Sequence, residues 1–235
     1  MLIRVGTCGY SYPWNKGKPF PFKWYVDQHF NSVEINASFY RFPNENWIRT
    51  WRIYTPRNFT FSIKVHRSIT HYTKLRGGKC LELWKRFAKT LDPIKNKIDF
   101  WLFQMPSNYK YNIENVEAVK AFFEKMKLRS NKVVIEFRDR SWWKEIDQIE
   151  KIGVVFCSVD APDLPNNIIN TNSTVYVRLH GSKEWYNYVY SKRELDSILL
   201  KIKRLKAKKN AIYLNNDHGM LKNGVYLLEK ARYKI

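Results

Sequence analysis

The 235-residue sequence predicts an α/β fold: one TIM-like (β/α)8 barrel spanning 1–235, with polar residues at the C-terminal strand ends. Three observations lead there. Eight short runs of alternating residues are separated by stretches of helical period, and strict alternation of strands with helical connections implies parallel pairing and right-handed crossovers. Ionisable residues gather at the C-terminal ends of those runs, where barrels of this kind carry their sites. Neither GxGxxG nor GxxxxGK[ST] occurs, which disfavours a doubly wound open sheet with its phosphate loop.

The first expected strand is Leu2–Gly6, followed by a short aromatic helix over Pro21–Phe30. Ser32–Asn36 is the second strand. Asn44–Ile53 reads as a helix, with Asn44 as its cap and an end forced before Pro56. Thr60–Val65 is the third strand. Lys79–Leu91 follows as a helix with Leu83, Trp84, Phe87 and Leu91 on one stripe. The fourth strand, Phe100–Met105, precedes a helix over Asn112–Lys127 with Ile113, Val116, Val119, Phe123 and Met126 aligned. Lys132–Phe137 is the fifth strand, and Ser141 caps a helix to Lys151. Val154–Val159 and Thr174–Leu179 are the sixth and seventh strands. Ser191 caps a helix to Lys206 that turns Leu195, Ile198, Leu199, Ile202 and Leu205 inward, and Ala211–Asn215 and a helix over Met220–Ala231 close the chain. No repeat, low-complexity tract or linker interrupts the series.

Forty-two Lys and Arg against 21 Asp and Glu leave a net charge of +21, which suits an anionic small molecule or nucleic acid as partner, or reflects a Lys-rich proteome. Cys8, Cys80 and Cys157 are odd in number and widely spaced, as reduced intracellular thiols are. No run reaches about 18 apolar residues and the N-terminus lacks a signal-peptide profile, so the expectation is a cytoplasmic monomer without a membrane span.

Strand parity selects the candidate site. Helices cover the outside of a barrel, so the apolar set of each strand faces them and the polar set lines the interior. That interior set is Glu34 and Asn36, Lys64 and His66, Gln104, Glu136 and Arg138, Ser158 and Asp160, Arg178 and His180, and Asn215 and Asp217. So many buried polar groups must pair with one another, with water or with a ligand, because leaving them unpaired costs several kcal/mol each, on the order of 2–7. Glu34, Lys64, His66, Glu136, Asp160, His180 and Asp217 are the candidate catalytic residues. Tyr10, Asn36, Tyr40, Gln104, Arg138, Trp142, Arg178 and Asn215 are the candidate substrate contacts.

The ordered segments GTCGYSYPW (Gly6–Trp14), VEINASFYRFP (Val33–Pro43), FSIKVHRSITH (Phe61–His71), LFQMPSNY (Leu102–Tyr109), VVIEFRDRSWW (Val133–Trp143), YVRLHG (Tyr176–Gly181) and YLNND (Tyr213–Asp217) cover nearly the whole chain. Together they resemble the YecE-like proteins, a family defined as domain of unknown function 72. The resemblance implies a TIM-like barrel and no established activity. The sequence departs from the family's pattern at Cys8 and Tyr10, where Ser and Trp are common, and at Asp139, where a His often follows the EFR triplet.

Three chemistries fit these residues. In metal-assisted phosphoester hydrolysis, Glu136, Asp160, His180 and Asp217 hold a divalent ion while Lys64, Arg138 and Arg178 neutralise phosphate oxygens. In metal-free acid–base catalysis, Glu136 or Asp160 is the acid or base, His180 the proton shuttle and the arginines an anion clamp, and Lys64 permits a Schiff base. In a non-catalytic binder, the aromatics beyond the strand ends stack the bases of single-stranded nucleic acid. Two further features carry less weight: the basic turn LRGGK (Leu75–Lys79) and the basic run Lys201–Asn210, which reads as a solvated helix face.

Overall fold

The computed structural model describes residues 2–126, 128 and 130–232. Its order is β1 (Ile3–Thr7), α1 (Pro21–Asp27), β2 (Ser32–Ile35), α2 (Ala37–Tyr40), α3 (Glu45–Tyr54), β3 (Thr60–Lys64), α4 (Gly77–Thr90), β4 (Ile98–Gln104), α5 (Ile113–Met126) and β5 (Val133–Glu136). Then come α6 (Ile146–Ile152), β6 (Val155–Asp160), β7 (Asn170–Thr171), β8 (Thr174–Leu179), α7 (Lys192–Arg204), β9 (Lys209–Leu214) and α8 (Met220–Arg232). Each expected strand and helix has a counterpart within a few residues. Lys127, the expected end of the fifth helix, lies outside the described residues.

Eight strands pair in parallel in the order β1-β9-β8-β6-β5-β4-β3-β2, and the sheet curls until its two edges meet, so the fold is a nearly closed TIM-like barrel. Alternation with helices is not strict. Between β6 and β8 the chain carries no helix, only β7, which pairs antiparallel with β8. A parallel connection needs length rather than a helix, and the residues 161–173 supply it.

The seam between β1 and β2 has a single backbone bridge, Cys8 to Glu34. Side chains join the two edges below it. The Asn31 amide accepts from Val5 N–H (2.8 Å) and donates to Ile3 C=O (3.0 Å). The Tyr25 hydroxyl accepts from Thr7 N–H (2.9 Å) and donates to Ser32 C=O (2.9 Å). Gly6 permits this approach, since a Cβ there would stand 2.4 Å from the Ser32 carbonyl oxygen.

Local chemistry sets the helix ends. Asn44 accepts from Trp47 N–H to start α3, and Ser191 and Glu194 form a reciprocal capping box on α7. Gly153 ends α6 with φ 81°, a left-handed conformation that glycine adopts without strain. The pair Gly77–Gly78 opens α4. No described helix is long and apolar enough to cross a membrane.

The apolar residues divide into two layers. Val33, Ile35, Ile63, Phe103, Ile135, Phe156, Val177 and Ile212 face the helices. Cys8, Phe100, Leu102, Val134, Cys157, Tyr176 and Tyr213 fill the barrel. The expected parity holds for β2, β3, β5 and β8 and fails at β6. There Val155, Cys157 and Val159 point inward, so Ser158 and Asp160 face the helical layer.

Candidate functional site: a charged barrel mouth

The site is built on hydroxyls. Inside the barrel the Ser32 hydroxyl donates to Thr60 C=O (2.9 Å), so the Tyr213 hydroxyl, 2.7 Å away, is the donor to Ser32. Likewise Tyr176 gives its one proton to Glu34 (2.6 Å), so Ser62, 2.6 Å away, donates to Tyr176. The Tyr213–Ser32 chain thus ends on a backbone carbonyl and the Ser62–Tyr176 chain on the Glu34 carboxylate.

Above it lies Arg178, fully buried. Its guanidinium grips Glu34 through Nε (3.1 Å) and Nη2 (2.7 Å) and Glu136 through Nη1 (2.6 Å), and Nη2 also reaches the Cys8 sulfur at 3.5 Å. The second Glu136 oxygen faces Arg138 Nε in an ion pair. Burial alone pushes the Glu136 carboxyl up, but Arg138 and Arg178 outweigh it and bring it down to about 2. Burial pushes both the Cys8 and Cys157 thiols well up, with Glu34 and Glu136 adding to it, so neither is an available thiolate.

Arg138 forms the upper edge. Its guanidinium lies 4.7 Å from the Trp185 ring centre, and its Nη2 stands 3.3 Å from His180 Nε2. The Asn215 side-chain nitrogen stands 3.0 Å from His180 Nδ1. Burial and the neighbouring Arg178, Arg138 and Lys64 hold the His180 ring well below its ordinary pKa. His180 is a neutral ring near neutral pH and is unsuited to shuttling protons there.

Lys64 ends β3 with 8 % of its surface exposed. Its ammonium lies 4.3 Å from the centre of the Phe39 ring and has no carboxylate within 4.0 Å among the described residues. Burial and then Arg178 lower it to about 8. The same Phe39 ring packs against His71, centroids 4.9 Å apart and planes at 79°. His71 is brought down to about 4 by burial, then by Lys64 and Arg138.

Glu34, Lys64, Glu136, Arg138, Arg178, His180 and Asn215 are thus brought together. Arg178 is the buried hub and is not free to clamp a substrate, since its three nitrogens are already engaged. Asp160 is outside the barrel, accepting from Tyr190 (2.6 Å) and Ser182 (2.7 Å). His66 is a loop-fastening ring: Nδ1 accepts from Ser68 N–H (3.1 Å) and Nε2 lies 3.3 Å from Tyr40 C=O. Trp142 is core rather than a ligand contact, fully buried, donating to Tyr109 C=O (2.7 Å) and stacked on Phe137 at 3.8 Å.

Tyr40 is exposed, its ring 5.8 Å from the Arg67 guanidinium. Asp217 opens a 3-10 turn at φ 42° and acts electrostatically on Tyr12. Gln104 is half-buried beside Glu136 in register. Tyr10, hydrogen-bonded by Trp51 (3.0 Å), and Asn36 line a 240 Å³ cavity together with Cys8. The candidate set left out Cys8, His71 and Tyr176, while Phe39 counted only among the aromatics beyond the strand ends. Tyr176 shares the parity of Arg178 and was legible. His71 reaches the site only through a π-helical turn (Ser68–Tyr72) that leaves no periodic signal.

The four expected metal ligands do not form one set. Glu136 is held by two arginines, Asp160 is outside the barrel, and His180 Nε2 faces the Arg138 guanidinium. Among the described residues no group of three or more His, Cys, Asp or Glu is disposed to hold a metal ion.

Fold and site together define a parallel α/β-barrel protein with a neutralised ionic hub and a cationic mouth. The chain belongs to the family described as "Protein of unknown function DUF72", whose model matches residues 4–231. It is 26% identical to the UPF0759 protein YunF of Bacillus subtilis (strain 168) over 241 aligned residues, 86% of this chain and 83% of that protein. It is 28% identical over 109 residues to the UPF0759 protein YecE of Escherichia coli (strain K12), 46% of this chain and 39% of that one. A crystal structure of a DUF72 family protein from Thermotoga maritima MSB8 superposes with TM-score 0.85 at 24% identity, covering 99% of this chain and 100% of that one. Another, from Enterococcus faecalis V583, gives TM-score 0.80 at 20% identity, covering 100% and 97%. These two likenesses bear on the fold.

Proposed function

We propose that the barrel mouth is the active site of an enzyme that binds a small anionic substrate and performs acid–base chemistry on it with its own side chains. The observation that carries this is a charge imbalance. The groups that act on one another at the mouth are two carboxylates, Glu34 and Glu136, and three cations, Lys64, Arg138 and Arg178. Both carboxylates are spent on arginines, so the unmatched positive charge lies on the Lys64 side. A buried excess cation is costly without an anion, and a substrate carboxylate or phosphate supplies one. Arg138 has no protein acceptor at Nη1 among the described residues, and its guanidinium lies over the Trp185 ring.

Of the titrating groups here, Lys64 is the one whose protonation changes near neutral pH, as a proton carrier requires. Glu136 and His180 stay ionised and neutral respectively, and hold the arginines in place. The test is to incubate the protein in D2O with a panel of small carboxylates and phosphate esters, with and without chelator, following carbon-bound hydrogen exchange and binding by NMR. Exchange that survives chelator and is lost in Arg138→Gln is expected. Failure of every anion to bind would sink the reading.

The net charge of +21 favours a second reading, in which nucleic acid is the anion. Chelator-sensitive cleavage of oligonucleotides in the same samples would establish a metal-assisted phosphoesterase instead. Salt-sensitive binding that Arg138→Gln leaves unchanged would place the contact on the outer surface.

A further inference from the structure

From the position of Lys64 we infer that the substrate is a carbonyl compound, and that Lys64 attacks it as a nucleophile to form an imine. The inference rests on the anion-binding reading of the mouth and names the substrate class within it: a small molecule with an aldehyde or ketone next to a carboxylate or phosphate.

The geometry is that of an amine prepared for attack. Lys64 stands on the interior face at the C-terminal end of β3, on a rigid strand rather than a loop. Its backbone is pinned, because the Ser38 hydroxyl at the start of α2 lies 2.6 Å from both Lys64 C=O and Ile35 C=O. An aromatic face at 4.3 Å replaces the carboxylate that a structural lysine would have. The two nearest carboxylates are turned to Arg178 and Arg138, which present like charge to the ammonium. Desolvation beside other cations is the arrangement that releases a lysine amine for carbonyl chemistry. The downward shift to about 8 agrees with it.

The step balances without an oxidant or reductant. The neutral Lys64 nitrogen forms a bond to the carbonyl carbon, and one amine hydrogen moves to the carbonyl oxygen to give a carbinolamine. Loss of that oxygen with both amine hydrogens as water leaves the C=N bond, which solvent protonates to an iminium. The iminium draws electrons from the adjacent carbon, so a C–H or C–C bond there breaks more easily. Hydrolysis returns the carbonyl and the free amine. Arg138 meets the substrate anion, and the Trp185 ring keeps its guanidinium facing the mouth.

Two measurements test this. In the first, glyoxylate and pyruvate are the probes, each with sodium cyanoborohydride at pH 7, and the reduced adducts are located by peptide mass spectrometry. At that pH a group titrating at about 8 carries roughly 300 times more free amine than one at 10.5. Lys64 is therefore expected to be labelled at least about tenfold faster than the exposed lysines. The adduct should disappear in Lys64→Met and weaken in Arg138→Gln. The second is competitive acetylation of Lys64 across pH, with a midpoint near 8 expected.

A midpoint near the ordinary lysine value would overturn the inference. So would a midpoint near 8 with no preferential adduct from either probe. In that last case Lys64 would be a proton carrier only, and the acid–base reading would stand. Failure of that reading shows separately, as absence of anion binding.

Discussion

At the scale of the residue, Arg178 decides most of what happens inside the barrel. A guanidinium with no exposed surface is tolerated because Glu34 holds two of its nitrogens and Glu136 the third. Removing one charge from such a set leaves another buried and unpaired. Glu34→Gln should therefore cost about 3–5 kcal/mol in denaturant unfolding. Tyr176→Phe, which removes one hydrogen bond to the same carboxylate, should cost about 1–3 kcal/mol. Equal losses in the two variants would show that the hub is held by packing rather than charge. Alternation around TVYVRLHG made Arg178 and His180 legible as inward-facing. Nothing in that run reveals that Arg178 is satisfied by protein while Lys64 is not, because that depends on which strand ends meet across the barrel. Trp142 failed for a similar reason: a tryptophan after a strand end looks the same whether it lines a mouth or stacks beneath a loop.

At the scale of the element, the strands were legible where one face was plainly apolar and the other plainly polar, as in β2 and β3. In β6 the segment VFCSVD has no such contrast, since Cys157 and Ser158 each suit either side. A one-residue change of facing there moved Asp160 from the barrel to the helical layer. The expectation of strict alternation missed that residues 161–173 join β6 to β8 through β7 with no helix. The β1–β2 seam was not legible, because it depends on Asn31 and Tyr25, one after a helix and one within it. Tyr25→Phe strips the partners from Thr7 N–H and Ser32 C=O together, so a loss of about 2–4 kcal/mol is expected by chemical denaturation. Native-state hydrogen exchange should speed up at Thr7 before it does in the β8–β9 ladder. Unchanged protection at Thr7 would show that the Tyr25 hydroxyl does not hold the seam.

At the scale of the whole molecule, the ionisable groups shape stability against pH. Glu136 titrates at about 2 when folded against an ordinary 4.5, so its contribution is full above the latter and is lost as pH falls between them. His71 at about 4 against 6.5 acts in the same direction: the unfolded ring takes up a proton in that window while the folded ring resists, so stability falls as pH falls from 6.5 to 4. Lys64 at about 8 against 10.5 makes stability rise as pH rises over that range, because burying the charged form is the unfavourable event. Lys64→Met should stabilise the protein at pH 7, by roughly 1–3 kcal/mol, and remove the alkaline rise. Thermal melts from pH 2 to 11 on both proteins check this; a less stable variant at pH 7 would mean that Lys64 is held by an attraction stronger than its burial cost.

The barrel seam that is joined by one backbone bridge has a consequence for its life at high concentration. Two parallel strands that do not zip together are two sheet edges, and an edge with free N–H and C=O groups invites another chain to add a strand. Asn31 and Tyr25 act as stoppers on those edges, filling with side-chain atoms the positions a foreign strand would use. The double variant Tyr25→Phe, Asn31→Ala should therefore self-associate under conditions where the parent stays dispersed, with light scattering rising before any loss of helical signal. Scattering that rises only after the helices melt would show that the edges are protected by their burial alone.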